Sequence, residues 1–365
     1  MRLVPIGGRT ADDRRAGRPV RVLASITALV AGLLTVAGCT GSSSSTATPT
    51  FNDASNVIRV AETPGVGDAP LFIAFQQGLF RQAGLQVRIT NYGSTRSELV
   101  ALQHGQADVA FGDYADMFYA QAQSEVKGAK NGLNMVIVAD GYDAVANTME
   151  VLAMPPAAHQ PAIVTPQNLA HKTVGTASAG VMPTNVPGTP YSLDTVATQS
   201  VLQNDNVKPS SISWRPLPPG APQEALLQQL ASHQVDAILA TEPTIFEAES
   251  QLGAVPVLDS CTGATSNLPL DGYFSTRAFA RAHHSKLAAF RSVLYRAQAL
   301  ANNQSEPVRT TLEGSEGMSV EDASLLTIGQ YPTTVSVNDL QRVISLMFAF
   351  SAIPTQPSVK AMLFH

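Results

Sequence analysis

The chain has 365 residues, 44% of them hydrophobic and only 14% charged, so it can bury a large core, and its length suits two domains. Its formal charge is −5, but Met1–Arg21 holds six arginines against Asp12 and Asp13, and setting that +4 aside leaves −9 on the remainder. An acidic body argues against a nucleic-acid groove.

Arg21 is followed by a 15-residue apolar run, Val22–Val36, which is short for a membrane span and right for a signal-peptide core. It ends in Val36-Ala37-Gly38-Cys39, small residues ahead of a cysteine, the pattern of a lipoprotein signal. Residues 1–38 are therefore expected to be a leader, with Cys39 acylated and the protein held at the outer side of a membrane. Cys261 is then the remaining thiol, no internal disulfide can form, and its default role is packing. Residues 39–56 are small and polar and read as a tether.

Val57–Ala61 is β-rich, a loop through Gly65 and Pro70 breaks it, and Leu71–Gln82 is amphipathic. Gly84 closes that region, Leu85–Thr90 alternates as a strand, and Ser94 or Thr95 is a natural N-cap for the next helix. Val100–Tyr114 then gives helix, turn, buried strand and a polar tip at Asp113 and Tyr114. A further strand, Met135–Ala139, runs into Asp140-Gly141-Tyr142. Such alternation means a mainly parallel sheet covered by helices.

The loose stretch from Thr148 to Pro166 suits a crossing between lobes, with the boundary at 154/155. A second lobe, 155–257, repeats the order: a strand over His171–Thr176 opens onto Ser178 and Gly180, and a helix covers Leu193–Gln203. Leu227–Pro243 then echoes the Val100–Tyr114 unit, with Asp236 where the first copy has Asp108. Both aspartates precede their strands and are assigned to turn structure. Residues 258–365 return to the first lobe: a strand at Tyr273–Thr276, then helices, two of them starting at Ser319 and Ser336.

The segments Pro70-Leu71-Phe72-Ile73-Ala74, Gln77-Gly78-Leu79-Phe80 and Leu102-Gln103-His104-Gly105-Gln106-Ala107-Asp108, with Val235-Asp236-Ala237 and Thr241-Glu242-Pro243, carry a resemblance. The chain resembles the substrate-binding lipoproteins of ABC importers, in the sulfonate, nitrate and thiamine-precursor branch with the type II periplasmic-binding fold. The resemblance implies an α/β chain of two lobes joined by two crossover segments. It also implies a monomer that closes on a small organic molecule and delivers it to a membrane permease, with no catalysis and no cofactor.

Ligands of open α/β sheets collect at strand carboxyl ends. The candidates are therefore Thr63, Asp68, Ser94, Thr95, Asp113, Tyr114, Asp140, Tyr142, Thr176, Ser178, Thr241, Glu242 and Tyr273. Ser94, Thr95 and Ser178 mark helix N-termini, which favour an anion. The acidic tips pull the other way, toward a neutral or amino-bearing heteroaromatic stacked on Tyr114, Tyr142 or Tyr273.

Rival chemistries have weaker support. Gly65-Val66-Gly67-Asp68-Ala69-Pro70 has proline where a dinucleotide fingerprint needs glycine. Thr176-Ala177-Ser178-Ala179-Gly180 is a nucleophile elbow lacking its first glycine, with His283 as nominal base, and supplies the alternative of a surface-anchored hydrolase. A ligand sensor would use the same cleft. No HExxH or CxxC spacing supports a metal.

Overall fold

The structure, a computed structural model, describes residues 56–126, 133–156, 162–177, 192–218 and 221–365. The leader, Cys39, nearly all of the tether, Ser178 and Gly180 lie outside the described residues.

The first lobe is built on the sheet order β2-β1-β3-β10-β4. Strand β1 (Val57–Glu62) leads through Val66–Asp68 into α1 (Ala69–Gln76) and α2 (Leu79–Gln82). Pro70 sits in the first turn of α1, where its missing N–H costs nothing. Gly84, at φ 74°, occupies the left-handed region that lets the chain turn into β2 (Gln86–Asn91), which pairs parallel with β1 along its length. Helix α3 (Thr95–Gln103), strand β3 (Val109–Asp113), helix α4 (Tyr114–Glu125) and strand β4 (Met135–Asp143) follow. Strands β3 and β4 are buried except at their last residue, as strands covered on both faces must be.

The chain then crosses once, over 144–148, into β5 (Met149–Ala153), which lies between β8 and β9 of the second sheet. Sequence reasoning kept Met149–Met154 in the first lobe and put the crossing later. The structure places it earlier, because the apolar run is a fully buried, antiparallel central strand rather than a connector. The second sheet has the order β7-β6-β8-β5-β9. It is assembled from β6 (Thr173–Thr176), α5 (Leu193–Asn204), β7 (Ser213–Pro216), α6 (Ala225–Ala231), β8 (Ala237–Thr241), α7 (Thr244–Leu252) and β9 (Val255–Asp259).

The chain returns over 260–268 into β10 (Pro269–Thr276), antiparallel to both β3 and β4. The two sheets are thus the same design: β1, β2, β3, β10 and β4 correspond in position to β6, β7, β8, β5 and β9. Each has one reversed strand, supplied by the chain just after it changes lobe. The expectation of mainly parallel sheets holds with that addition.

The crossings run side by side. Ser260 donates its N–H to the Met149 carbonyl at 2.9 Å and Ala144 donates to Leu268 at 2.9 Å. The Thr148 hydroxyl lies 3.6 Å from the Cys261 sulfur, and burial pushes that thiol up to about 12, which fits a packing role.

Helices α8 (Arg277–Ala282), α9 (His284–Asn303), α10 (Ser305–Glu316), α11 (Val320–Ala323), α12 (Val337–Ala349) and α13 (Val359–Met362) complete the first lobe. Ser319 and Ser336 accept from the N–H groups of Asp322 and Asp339, as their spacing predicts. The helical stretch after β10 is broken at His283 into α8 and α9, and α10, which the sequence did not announce, carries Pro307 in its first turn, where proline is tolerated. Phe80 of α2 stacks on Phe290 of α9, centroids 5.2 Å apart, and ties the C-terminal helices to the first sheet. No helix among the described residues is long and apolar enough to cross a membrane.

Candidate functional site

The repeated aspartates anchor the scaffold that presents the site. Asp108 accepts from the Arg59 backbone N–H at 2.9 Å and from its guanidinium at 2.6 and 3.1 Å. Asp236 accepts in the same way from the Thr173 N–H at 2.8 Å and from Lys172 at 3.2 Å. Each aspartate therefore pins the start of one strand to its parallel neighbour, at the end remote from the tips.

At the opposite end of β3, Asp113 caps α4, accepting from Ala115 N at 2.5 Å and Asp116 N at 3.3 Å. Its own N–H donates to the Thr95 hydroxyl at 3.1 Å, which joins the α3 and α4 N-termini. Thr63, just after β1, donates to Glu98 at 2.7 Å, and Ser94 caps α3 through Ser97 N.

Directly across the ladder from Asp113 stands Asp271 of β10, since these two are register partners. Residues so paired in antiparallel strands have side chains about 5 Å apart, and like charges there repel. Asp194, in the first turn of α5 and accepting from Ser192 and Thr195, brings a further carboxylate from the second lobe.

Each of these acids is harder to ionise than an ordinary carboxylic acid. Burial raises Asp113 well above the usual range, and Asp116, Asp271 and Asp194 add to the effect. Burial pushes Asp271 to about 7 and Asp116 to about 6, although Arg96 eases the latter. Burial also lifts Asp194 and Glu98, the last despite its bond to Thr63. Asp113, Asp194 and Asp271 keep some solvent-accessible surface, as residues lining a cleft do.

Several predicted contacts are used elsewhere. Tyr114 is fully buried: its ring packs on Phe118 and Phe274, and its hydroxyl donates to Asp140 at 2.8 Å. Asp140 is thereby committed to the core, beneath Gln298, whose amide holds the Asp140 carbonyl at 2.6 Å. Tyr273 is fully buried against Phe111 and Phe290. Tyr142 accepts from Gly329 N at 2.6 Å and faces Tyr331. The expectation that these rings stack on a ligand is corrected accordingly, because Phe118 and Phe274 enclose Tyr114, Phe111 and Phe290 enclose Tyr273, and Gly329 and Tyr331 cover Tyr142.

Glu242 is also occupied, accepting from Phe246 N at 3.1 Å and, across the lobes, from Thr327 N at 2.9 Å. Asp68 and Thr176 are fully buried, while Thr241 is half-buried at the end of β8. His283, the nominal base of the hydrolase alternative, is exposed at the α8–α9 junction with its ring on Phe279.

Sequence reasoning missed Glu98, Asp116, Asp194 and Asp271. Asp116 is one turn beyond Asp113, and Asp194 opens a predicted helix, so both were within reach of the helix-start rule that found their neighbours. Asp271 was not, because β10 runs backwards and brings its amino end to the cleft. A groove of about 710 Å³ lies elsewhere, between α9 and the C-terminus, lined by Arg291, Tyr295, Arg296, Thr333 and Phe364. None of the strand tips reaches it, so the carboxylates, not that groove, mark the site.

A family model matches residues 54–311 and is described as the NMT1-like family. The chain belongs to that family. Among solved structures, the periplasmic aliphatic sulphonate binding protein SsuA from Escherichia coli is similar at TM-score 0.65 and 16% identity, covering 85% of this chain and 97% of the other. The periplasmic nitrate-binding protein NrtA from Synechocystis PCC 6803 follows at 0.63 and 12%, covering 84% of each chain. The desulfurization enzyme DSZB is similar at 0.62 and 13%, covering 84% of this chain and 96% of the other. No curated protein matches the sequence. At these identities the structural likeness establishes the fold: this NMT1-like chain has the two-lobed periplasmic-binding architecture, and the likeness to both binding proteins and an enzyme leaves its chemistry to its own residues.

Proposed function

We propose that the protein is an extracytoplasmic solute-binding lipoprotein, acylated at Cys39, which captures a small organic molecule between its lobes and delivers it to an ABC permease. One observation supports the reading above others: two sheets of one design are joined by a paired crossing at 144–148 and 260–268, and the charge of Asp194 in the second lobe reaches Asp113 and Asp116 at the tip of β3 in the first. Two crossings side by side suit hinge closure, which encloses a ligand without rebuilding either lobe. The fold's occurrence in sulphonate- and nitrate-binding proteins supports a carrier, and nothing in this reading requires a chemical step.

The test is a thermal-shift screen of the full-length chain against sulfonates, nitrate, pyrimidines and flavins. A ligand bound only by the folded state, at about 100 times its Kd, adds about 2.7 kcal/mol and raises the melting temperature by several degrees. Hydrolysis of any tested compound by the purified chain would count against a carrier.

A further inference from the structure

Resting on that reading of the cleft, we infer that the captured solute is a small organic cation, a protonated amine or amidinium, received by Asp113 and Asp271 with Asp116 and Asp194 closing around it. The anchor is geometric. Asp113 and Asp271 are cross-strand partners, Asp116 lies one helical turn from Asp113, and Asp194, in the first turn of α5 in the other lobe, is near enough for its charge to act on Asp113 and Asp116. Like charges set opposite each other in a ladder cost stability, and a cation between them removes that cost.

A second observation points the same way. Glu98 is fully buried, and while one of its oxygens holds Thr63, Oε2 has no hydrogen-bond partner among the described residues. That oxygen stands over the tip of β3: a Cβ added at Gly112, next to Asp113, would lie 2.7 Å from it. The charges it feels are those of Glu62, Asp271 and Asp116. A buried carboxyl oxygen without a partner costs stability, a cost that an N–H group of the ligand can remove.

Anions are disfavoured by the same elements. A helix N-terminus receives an anion through free N–H groups, but here Asp113 and Asp116 serve α4, Asp194 serves α5 and Glu98 lies in the first turn of α3. Arg96 is the described cation whose charge reaches Asp116, and residues 178–191 contain no charged side chain that could offset the acids. A metal ion fits poorly, because no three acidic, histidine or cysteine residues among those described converge closely enough to hold one. Carboxylates spread this widely suit a charge delocalised over several atoms.

The test holds a ring constant and varies its charge. Benzamidinium, benzamide and benzenesulfonate are each added at millimolar concentration to the full-length chain, followed by thermal shift and calorimetry. Benzamidinium is expected to raise the melting temperature by several degrees and the other two to leave it unchanged. Asp271→Asn should weaken benzamidinium binding tenfold or more while its unliganded melting temperature stays equal or rises. Stabilisation by benzenesulfonate, simple sulfonates or nitrate, but not benzamidinium, would overturn the cation while leaving the carrier standing. Equal benzamidinium binding by wild type and Asp271→Asn would overturn the assignment of the site. No shift with any compound of either screen would remove the carrier reading itself.

Discussion

At the scale of single residues, position within a strand decides what an aspartate does. Asp108 is nearly buried, its side chain 7% exposed, and satisfies a backbone N–H along with a guanidinium, whereas Asp236 does the same work with 38% exposure. Asp108→Ala leaves a poorly solvated N–H and should cost about 2–3 kcal/mol in urea unfolding, against about 1 kcal/mol for Asp236→Ala, since exposed pairs contribute little. Equal costs would mean that the pairing with water, not burial, sets the value. Asp271 should behave in the opposite sense. It sits near 7 in the fold and near 4 when unfolded, so its neutral form favours the fold at low pH, and that advantage is lost as pH rises through 7. Asp113, Asp116 and Asp194 share the burden, and Arg96 relieves part of it. Asp271→Asn should therefore match wild type at pH 4 and be about 2 kcal/mol more stable at pH 8, a difference that denaturant midpoints at the two pH values would show. A variant less stable at pH 8 would mean that the carboxylate is paired after all.

Elements carry their information locally, and that determines how much of the fold was legible. Strands β3 and β8 could be read because four buried residues precede a polar tip in each copy, and α12 because Ser336 caps an amphipathic run. Direction and partner are not local properties. Nothing in Met149–Ala153 or Pro269–Thr276 states that these strands run against their neighbours, so the first crossing and the cleft position of Asp271 stayed hidden. Coverage is equally nonlocal: Tyr114, Tyr142 and Tyr273 follow the strand-tip rule, but each is enclosed in part by a residue more than 150 positions away, Phe274, Gly329 and Phe111 respectively. Glu242 illustrates the consequence. Expected to touch the ligand, it instead joins the end of β8 to the segment after α11, through Phe246 N and Thr327 N. A bond that exists only while the lobes meet biases closure, and losing it should cost about 1 kcal/mol, or roughly fivefold in apparent ligand affinity. Glu242→Ala is expected to show that loss mainly as faster ligand release, with Glu242→Gln retaining most of the wild-type behaviour. Unchanged release from Glu242→Ala would show that the contact follows closure without favouring it.

For the whole molecule, two copies of one sheet give a cleft, and the residues that differ between the copies give it a charge. The scaffold pairs Arg59–Asp108 and Lys172–Asp236 are conserved in role between lobes, while the acids Asp113, Asp116 and Asp271 come from the first lobe and Asp194 from the second. On the proposed reading of residues 1–38 as a leader, the six arginines of Met1–Arg21, against −9 on the remainder, would favour retention of that end on the inner side of a membrane. A carrier that feeds a permease gains from being held beside it, because tethering raises its effective concentration without any new contact. One acyl chain binds a membrane only marginally and two bind it stably, so diacylglycerol on Cys39, as proposed, would be sufficient for such a tether. The full-length chain expressed in a bacterium should incorporate labelled palmitate and yield a mature N-terminal peptide that begins with acylated Cys39. Cys39→Ser should lose the label while retaining the same fold and ligand response, because Cys39 precedes the first strand by eighteen residues. A wild-type protein that is cut at another bond and carries no label would be a freely released binding protein, and the tethered carrier would have to be abandoned.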